Sequence, residues 1–137
     1  MAMRYLLDTS VVKRAGSERV RTVLRSLALA GEISRTSIVD LEVGFSARNS
    51  AEWAELTGVL SSFPLIEIEQ SHLDRALQVQ SLLAVRSQRG RKIPDLLVAA
   101  VAEGTGATVL HYDSDFDHIS AVTGQPTEWV VPQGSVD

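Results

Sequence analysis

The 137-residue chain contains no cysteine, so it has no disulfide, no thiolate nucleophile and no zinc–thiolate site. Long apolar runs are missing too, and none approaches the ~18 consecutive apolar residues that a membrane-spanning helix needs. The amino-terminal segment lacks the basic region and apolar stretch of a secretory signal peptide. These absences predict a protein of the reducing cytoplasm that has no membrane association.

An excess of positive charge is also missing. The chain has 13 Lys and Arg residues against 17 Asp and Glu residues, a formal net charge of −4 at pH 7. Nucleic-acid-binding proteins usually carry a basic excess, so this balance argues against such a role unless several acids are gathered around metal ions. One basic cluster exists, and it is either a phosphate-binding segment or a solvated loop: Arg86, Arg89, Arg91 and Lys92.

Several catalytic signatures are absent. There is no glycine-rich phosphate loop, no G-x-S-x-G elbow and no H-E-x-x-H helix. Of the three histidines, only His111, close to a candidate acid, is placed to line a site. His72 and His118 lack metal-ligand spacing, and we interpret them as structural or solvated residues. Thr9, Ser10 and Thr36 have no adjacent base, so we interpret them as helix caps and supporting hydrogen-bond donors rather than nucleophiles.

What is present indicates one α/β domain over residues 1–137, with a short polar tail at its end. Hydrophobic residues make up 45% of the chain and charged residues 22%, as in ordinary globular domains. Strand patterns alternate with helical ones, which predicts a largely parallel sheet. The predicted strands are Tyr5–Leu7, Ile33–Thr36, Pro64–Ile68, Ala107–Leu110 and Trp129–Val131.

The helical patterns fill the segments between these strands. A short helix is predicted over Val11–Ala15 and a second from Ser17 or Glu18 to near Gly31. A third begins at Thr36 or Ser37, with Ser37 and Asp40 matching an acidic capping box. The remaining helices are centred on Trp53–Leu60, cover Ser71–Arg86, run from Pro94 to Gly104 or Gly106, and cover Ser114–Ala121.

Acidic residues recur where strands end or where helices begin beside them. Asp8 directly follows the apolar run Tyr5–Leu7, and ligands of parallel sheets bind beyond the carboxyl ends of the strands. Asp95 lies in the first turn of an apolar helix, where the helix dipole favours a negative charge. Glu42 lies about one turn into its helix. Asp113 and Asp115 follow the strand that ends at Leu110.

Each of these acids has a plain alternative, as a helix cap, an Asx turn or a solvated helix residue. Together they predict one cavity in which three to five carboxylates converge and repel one another unless a cation is bound. Oxygen-rich sites suit Mg²⁺ or Mn²⁺, which can activate a water and stabilise a phosphodiester under displacement.

The candidate acids lie in four segments: Leu6-Leu-Asp-Thr-Ser10, Thr36-Ser-Ile-Val-Asp-Leu-Glu42, Ile93-Pro-Asp-Leu-Leu-Val-Ala-Ala100 and Leu110-His-Tyr-Asp-Ser-Asp-Phe116. In the order and spacing of these segments the chain resembles PIN-domain proteins, and within them the VapC-type toxins of bacterial toxin–antitoxin pairs. The resemblance implies a three-layer α/β/α fold with about five strands and a magnesium-dependent endoribonuclease that cleaves structured RNA such as tRNA or ribosomal RNA. It also implies a homodimer and a cognate VapB-type antitoxin.

The acidic residues that the resemblance implies are Asp8, Glu42, Asp95 and Asp113, with Asp115 as a fifth member. We expect Asp8 and Asp95 to be the principal metal ligands, Glu42 to bind metal or orient the attacking water, and Asp113 with Asp115 to complete the site. In the family the glutamate often follows an alanine and precedes a leucine, whereas here Leu41 and Val43 flank Glu42.

Two other classes of function remain open at this point. One is a phosphotransferase that uses Asp8 as a phospho-acceptor, although such enzymes want a second Asp where Ser10 stands. The other is a non-catalytic domain whose acidic pocket binds a cation or a basic partner peptide.

Overall fold

The computed structural model describes residues 4–88 and 92–137, and Arg89 and Arg91 of the predicted basic cluster lie outside these residues. Four strands form one sheet: β1 (Tyr5–Leu7), β2 (Ile33–Ser34), β3 (Thr108–His111) and β4 (Thr127–Trp129). All pairs are parallel, and the spatial order is β2-β1-β3-β4. The chain leaves β1 toward β2 on one side and later returns to β3 on the other. Such a reversal opens a crevice beyond the carboxyl ends of β1 and β3.

Seven helices flank this sheet in the described part of the chain. The first four are α1 (Thr9–Val12), α2 (Glu18–Leu29), α3 (Ser37–Phe45) and α4 (Ser50–Leu60). The others are α5 (Gln70–Val85), α6 (Ile93–Thr105) and α7 (Asp115–Thr123). The predicted α/β class with a parallel sheet is therefore confirmed.

The segment Pro64–Ile68, predicted as a fifth strand, contributes only an isolated parallel bridge between Arg35 and Leu65. Its two flanking hydrogen bonds run from Arg35 N–H to Pro64 O (2.9 Å) and from Ile66 N–H to Arg35 O (2.9 Å). The apolar pattern was real, since Ile66 and Ile68 pack against the core. Burial alone does not extend the hydrogen-bonded ladder.

The predicted capping box of α3 is wrong. Thr36 is the N-cap residue and makes no side-chain cap hydrogen bond. Asp40 instead forms an ion pair with Arg35. Because an arginine is available beside the helix start, the acid binds that cation rather than a backbone N–H group.

The core lies around β1, β3 and α6. Leu6, Leu7, Val109 and Leu110 are fully buried, as expected for strands covered on both faces. From Leu96 to Ala102 every residue of α6 except the half-buried Leu97 is buried, as the apolar sequence of this helix leads us to expect. Among residues 4–88 and 92–137, no helix combines the length and apolar character needed to cross a bilayer.

Helices α5 and α6 pack tightly at one point. Gly104 lies inside α6, and a Cβ atom there would come 2.8 Å from Nε2 of His72 on α5. The His72 ring is fixed because its Nδ1 accepts a hydrogen bond from Glu69 N–H (2.9 Å). The helix ends at Gly106, whose φ of 75° is left-handed. Gly104 therefore serves close packing and Gly106 termination, where the sequence suggested termination for both.

Candidate active site

Asp8 stands where β1 leaves the core, and it both caps α1 and faces the crevice. Its Oδ2 accepts hydrogen bonds from Ser10 N–H (2.9 Å) and from Ser10 Oγ–H (2.6 Å). Its Oδ1 is buried without a hydrogen-bond partner among the described residues. One carboxylate can therefore serve in two ways: Oδ2 caps the helix, and Oδ1 remains available to a ligand in the crevice.

The end of β3 is tied to the same place. Ser10 Oγ accepts a hydrogen bond from Tyr112 N–H (2.8 Å), which joins the ends of β1 and β3. Beyond Tyr112, the N–H of Asp113 donates to His111 Nδ1 (3.1 Å), and Asp115 N–H donates to Asp113 Oδ1 (2.9 Å). The loop that carries the two acids is thus fixed by an Asx-type turn on one side and a buried imidazole on the other.

Asp95 enters the crevice from the first turn of α6, and only 4% of it is exposed. Its Oδ2 accepts no hydrogen bond within the described part of the chain. Burial, a hydrogen bond with Asp115 and the charges of Asp8 and Asp113 raise the pKa of Asp95 to about 8, while Lys92 acts in the opposite direction. Without a cation, this group is expected to be largely protonated at neutral pH.

Glu42 comes from the second turn of α3. Thr9, the first residue of α1, donates a hydrogen bond from its Oγ1 to Glu42 Oε1 (2.7 Å). This contact fixes one carboxylate oxygen of Glu42 and leaves the other available. Thr9 thus donates a hydrogen bond to Glu42 as Ser10 does to Asp8, and the supporting role of both residues at the site stays a prediction.

A cavity of about 440 Å³ brings these acids together. Four of the five predicted acids line it: Asp8, Glu42, Asp95 and Asp113. Asp115 does not line it, but the ligand oxygens of Asp95, Asp113 and Asp115 all lie within 4.8 Å of one another.

The electrostatics of this cavity fit a divalent cation. Burial raises the pKa of Asp8, the charges of Glu42 and Asp113 add to that rise, and the hydrogen bonds from Ser10 oppose it. Two buried carboxylate oxygens, Asp8 Oδ1 and Asp95 Oδ2, have no donor in residues 4–88 and 92–137. Unpartnered buried acceptors among like charges are costly, and hard carboxylate oxygens are the ligands that Mg²⁺ and Mn²⁺ take.

Cationic and aromatic side chains complete the lining, and sequence reasoning missed most of them. Lys13 and Arg14 follow α1, Tyr112 follows β3, Trp129 ends β4, and Gln133 lies in the C-terminal segment. The Arg14 guanidinium carbon lies 4.3 Å from the centre of the Tyr112 ring. The only signal in the sequence was the position of Lys13 and Arg14 shortly after Asp8.

Of the predicted RNA-binding cluster, Lys92 lines the cavity and its Nζ lies 3.3 Å from Asp113 Oδ2. Burial lowers its pKa, but the charges of Asp113 and Asp95 outweigh that effect, so the pKa of Lys92 is raised. Arg86 does not line the cavity, and its Nη1 donates to Ala121 O on α7 (3.5 Å). A role for Arg86 in RNA binding therefore stays a prediction.

His111 does not line the cavity. It is fully buried, packs against Phe116 and Trp129 with ring centres 5.0 Å apart, and its pKa is lowered by burial to about 4. His72 and His118 contact Glu69 and Gln88. The prediction that His72 and His118 are structural agrees with these contacts.

The class of protein is shown by a family match that spans most of the chain. The profile of the PIN domain family matches residues 5–122. The chain belongs to the PIN domain family, as the four segments of its sequence predicted.

Individual relatives support this family membership, and a solved structure supports the fold. Ribonuclease VapC51 of Mycobacterium tuberculosis (strain ATCC 25618 / H37Rv) is 61% identical over 137 residues, which is 100% of both chains. Ribonuclease VapC21 of the same strain is 42% identical over 137 residues, covering 98% of this chain and 99% of the relative. The fold matches that of DNA-bound VapBC from Salmonella typhimurium with a TM-score of 0.79, at 18% identity, over 96% of this chain and 100% of that one.

Proposed function

We propose that this chain is a metal-dependent endoribonuclease and the toxin of a VapBC-type toxin–antitoxin pair, acting on structured RNA such as tRNA or ribosomal RNA in the cytoplasm. One observation carries the proposal: four carboxylates from β1, α3, α6 and the loop after β3 line a single cavity at the carboxyl edge of the sheet. The names of the relatives, ribonucleases at 61% and 42% identity, support the same activity.

In this proposal Asp8 and Asp95 are the principal ligands of Mg²⁺, or of Mn²⁺, because each presents a buried oxygen without a hydrogen-bond partner among the described residues. Asp113 is the third ligand, and Asp115 adds negative charge beside it. A bound divalent cation supplies the positive charge that attracts the scissile phosphate and lowers the pKa of the attacking water.

The remaining groups orient the reactants. Thr9 holds Glu42 Oε1, so Glu42 Oε2 is the group that orients the attacking water toward phosphorus. Lys92, Lys13 and Arg14 are the cations of the lining and contact the phosphates of the substrate. This division explains how a chain with a net charge of −4 binds RNA, since its acids are concentrated on the metal.

An aspartyl-phosphate mechanism is less well supported. Ser10 occupies the place of the second Asp, and its N–H and Oγ–H both donate to Asp8 Oδ2. Ser10 therefore supplies hydrogen bonds to Asp8 where a phosphotransferase of this kind needs a second carboxyl group as its general acid and base.

The test is cleavage of total tRNA and ribosomal RNA with added Mg²⁺ or Mn²⁺, with a chelator as the blank. Asp8→Asn and Asp95→Asn should each reduce the rate by ~100-fold or more, because each removes a charge that the transition state needs. Asp74→Asn on α5 is the matched control, since Asp74 is an exposed acid bonded to Gln70 and should behave like the wild type. Discrete products that need the metal and both acids support the proposal, and sequencing their ends identifies the target. A folded, metal-binding protein that cleaves neither RNA contradicts it.

We also propose that the antitoxin and a second copy of the chain cover the apolar surfaces around α3 and α4. Phe45 is 92% exposed, Leu41 68% and Trp53 52%, and all three line one open cavity on α3 and α4. Contiguous exposed apolar side chains of this kind mark surfaces that bind another protein. A separate cavity of about 420 Å³, lined mainly by apolar side chains, lies between α2 and α4. Solved structures with this fold include a toxin–antitoxin complex from Klebsiella pneumoniae and a member of the VapBC family of toxin–antitoxin systems from Mycobacterium tuberculosis.

Sedimentation of the chain alone and with its cognate antitoxin tests these partners. Phe45→Ser should weaken at least one of the two associations, because it removes the most exposed large apolar side chain. A monomeric wild type that binds no antitoxin would contradict both partner assignments without affecting the nuclease proposal.

A further inference from the structure

The cavity has an aromatic part that the acids and the metal do not use. Tyr112 and Trp129 both line it, with ring centres 5.2 Å apart and planes at 86°. Arg14 lies over the Tyr112 ring, so a cation and two aromatic rings form one continuous group. This part lies within the same cavity as Asp8 and Asp113.

Trp129 is held rigidly in this group. Its ring packs against His111 with centres 5.0 Å apart, and its Nε1 donates to Asp117 Oδ1 on α7 (3.3 Å). Trp129 is nevertheless only partly buried, and it lines the cavity. A large aromatic side chain that is fixed by its neighbours but left open to the cavity is already arranged to contact a ligand.

The C-terminal segment contributes a polar neighbour. Tyr112 Oη accepts a hydrogen bond from Gly134 N–H (2.8 Å) and donates one to Val136 O (2.8 Å). These bonds hold the segment that carries Gln133 against the cavity, which Gln133 lines. The amide of Gln133 offers both a donor and an acceptor to the edge of a flat, polar ligand.

We propose that Trp129 contacts the substrate directly: an unpaired base of the RNA, next to the cleaved phosphodiester, stacks on its indole ring. This inference rests on the proposed nuclease function and adds the class of nucleotide that the site takes. Unpaired bases stack on aromatic side chains, whereas bases inside a duplex already stack on each other. Arg14 and Lys13 are then placed for the flanking phosphates, and Gln133 for the base edge.

Fluorescence tests the contact without relying on turnover. The chain has two tryptophans, so Trp53→Phe leaves Trp129 as the sole reporter. In the background of Asp95→Asn, a short single-stranded oligoribonucleotide should quench Trp129, and the same strand annealed to its complement should not. Trp129→Phe, which keeps only Trp53 on α4, is the matched control and should show no change. Anisotropy of the labelled RNA confirms binding in each sample.

Steady-state cleavage of total tRNA gives the second measurement. Trp129→Ala should raise KM about 10-fold or more with kcat within about twofold, because the lost interaction is mainly one of binding. Trp129→Tyr keeps a stacking ring and should restore most of the affinity. The affinity for Mn²⁺ alone should be unchanged in all three proteins.

The failures are distinguishable. If the wild type cleaves RNA, while bound single strands leave Trp129 fluorescence unchanged or Trp129→Ala keeps its KM, the inference is wrong and the nuclease proposal stands. Equal quenching by single strand and duplex also overturns it, because an unpaired base is then not what the ring selects. If the wild type neither binds nor cleaves RNA, the proposed function fails and this inference fails with it.

Discussion

Helix α6 has an acidic residue near each end, and the two residues have opposite surroundings: one is paired with a cation, and the other is buried among acids. Near its C-terminus, Glu103 accepts hydrogen bonds from Arg75 Nε (2.7 Å) and Nη2 (3.2 Å), and Gly104 lies against a His72 ring that is itself hydrogen-bonded. Near its N-terminus, Asp95 is buried among other acids and has an oxygen without a donor within residues 4–88 and 92–137.

Glu103 therefore stabilises the folded state, whereas Asp95 destabilises it in the absence of a cation. At the Glu103 end, opposite charges meet and the helices pack, so each side chain lowers the free energy of the folded state. At the Asp95 end, like charges are crowded into a cavity, which raises that free energy until a cation binds. Local destabilisation of this kind is typical of functional sites.

The largest expected effect concerns the N-terminal end of α6, where Asp95 makes the stability of the metal-free protein depend on pH. Burial holds the pKa of Asp95 near 8, against 3.8 for an unperturbed Asp, so the folded state binds more protons than the unfolded state between these values. Stability from this group is therefore highest at low pH and is lost as the pH rises toward 8. His111, with its pKa lowered to about 4, acts oppositely below pH ~6.5, so the fall should be clearest from pH ~6.5 to 8.

Thermal unfolding of the metal-free protein measures this effect. The wild type should lose Tm from pH ~6.5 to 8, and Asp95→Asn should make that slope shallower and raise Tm at pH 8, by roughly 4 °C for each kcal/mol recovered. Added Mn²⁺ should stabilise the wild type more at pH 8 than at pH 6.5, because it competes with the proton for Asp95. A slope that is equally steep in Asp95→Asn would mean that another group causes it.

A smaller effect is expected from Thr9, a neutral residue whose hydroxyl holds one oxygen of Glu42 in the acidic cavity. Thr9→Val removes the hydroxyl that donates to Glu42 Oε1 and keeps the side-chain volume, so Glu42 becomes free to turn. We expect kcat to fall by about 10-fold, in the range of supporting hydrogen bonds at metal sites. Thr9→Ser keeps the donor and is the matched control. Equal activity of the two variants would show that Thr9 does not position Glu42.

The parallel α/β fold and the positions of the acids within it could be predicted from the sequence because both depend on local patterns along the chain. A buried strand that ends in Asp8, and the apolar helix that begins at Asp95, are visible as patterns along the chain. Because β1 and β3 are adjacent parallel strands, their carboxyl ends lie at the same edge of the sheet, and the helix that precedes β3 begins at that edge. The structure accordingly places Asp8, Glu42, Asp95 and Asp113 in one cavity.

What the sequence could not supply was the choice between competing partners. Asp40 fits a capping box by spacing, but Arg35 lies within reach and binds it. Pro64–Ile68 fits a strand by apolarity, yet only Leu65 forms a bridge, with Arg35 directly after β2. Trp129 and Gln133 come late in the chain, and no pattern links them to Asp8, since only the tertiary fold brings β4 and the tail beside β3.

The smallest expected effect tests the well-packed end of α6. Gly104→Ala would place a Cβ 2.8 Å from His72 Nε2, and the resulting overpacking costs roughly 1–3 kcal/mol against a gain of ~1 kcal/mol in helix propensity. We therefore expect a net loss of ~1 kcal/mol in the free energy of unfolding, measured by urea denaturation. Gly58→Ala is the matched control, because Gly58 lies inside α4 and a Cβ there meets nothing within 4 Å. That variant should be more stable than the wild type, and the activity of both, per folded molecule, should be unchanged. If Gly104→Ala were as stable as Gly58→Ala, the contact between α5 and α6 at Gly104 would be loose, and the contrast between the two ends of α6 would depend on the Arg75–Glu103 ion pair alone.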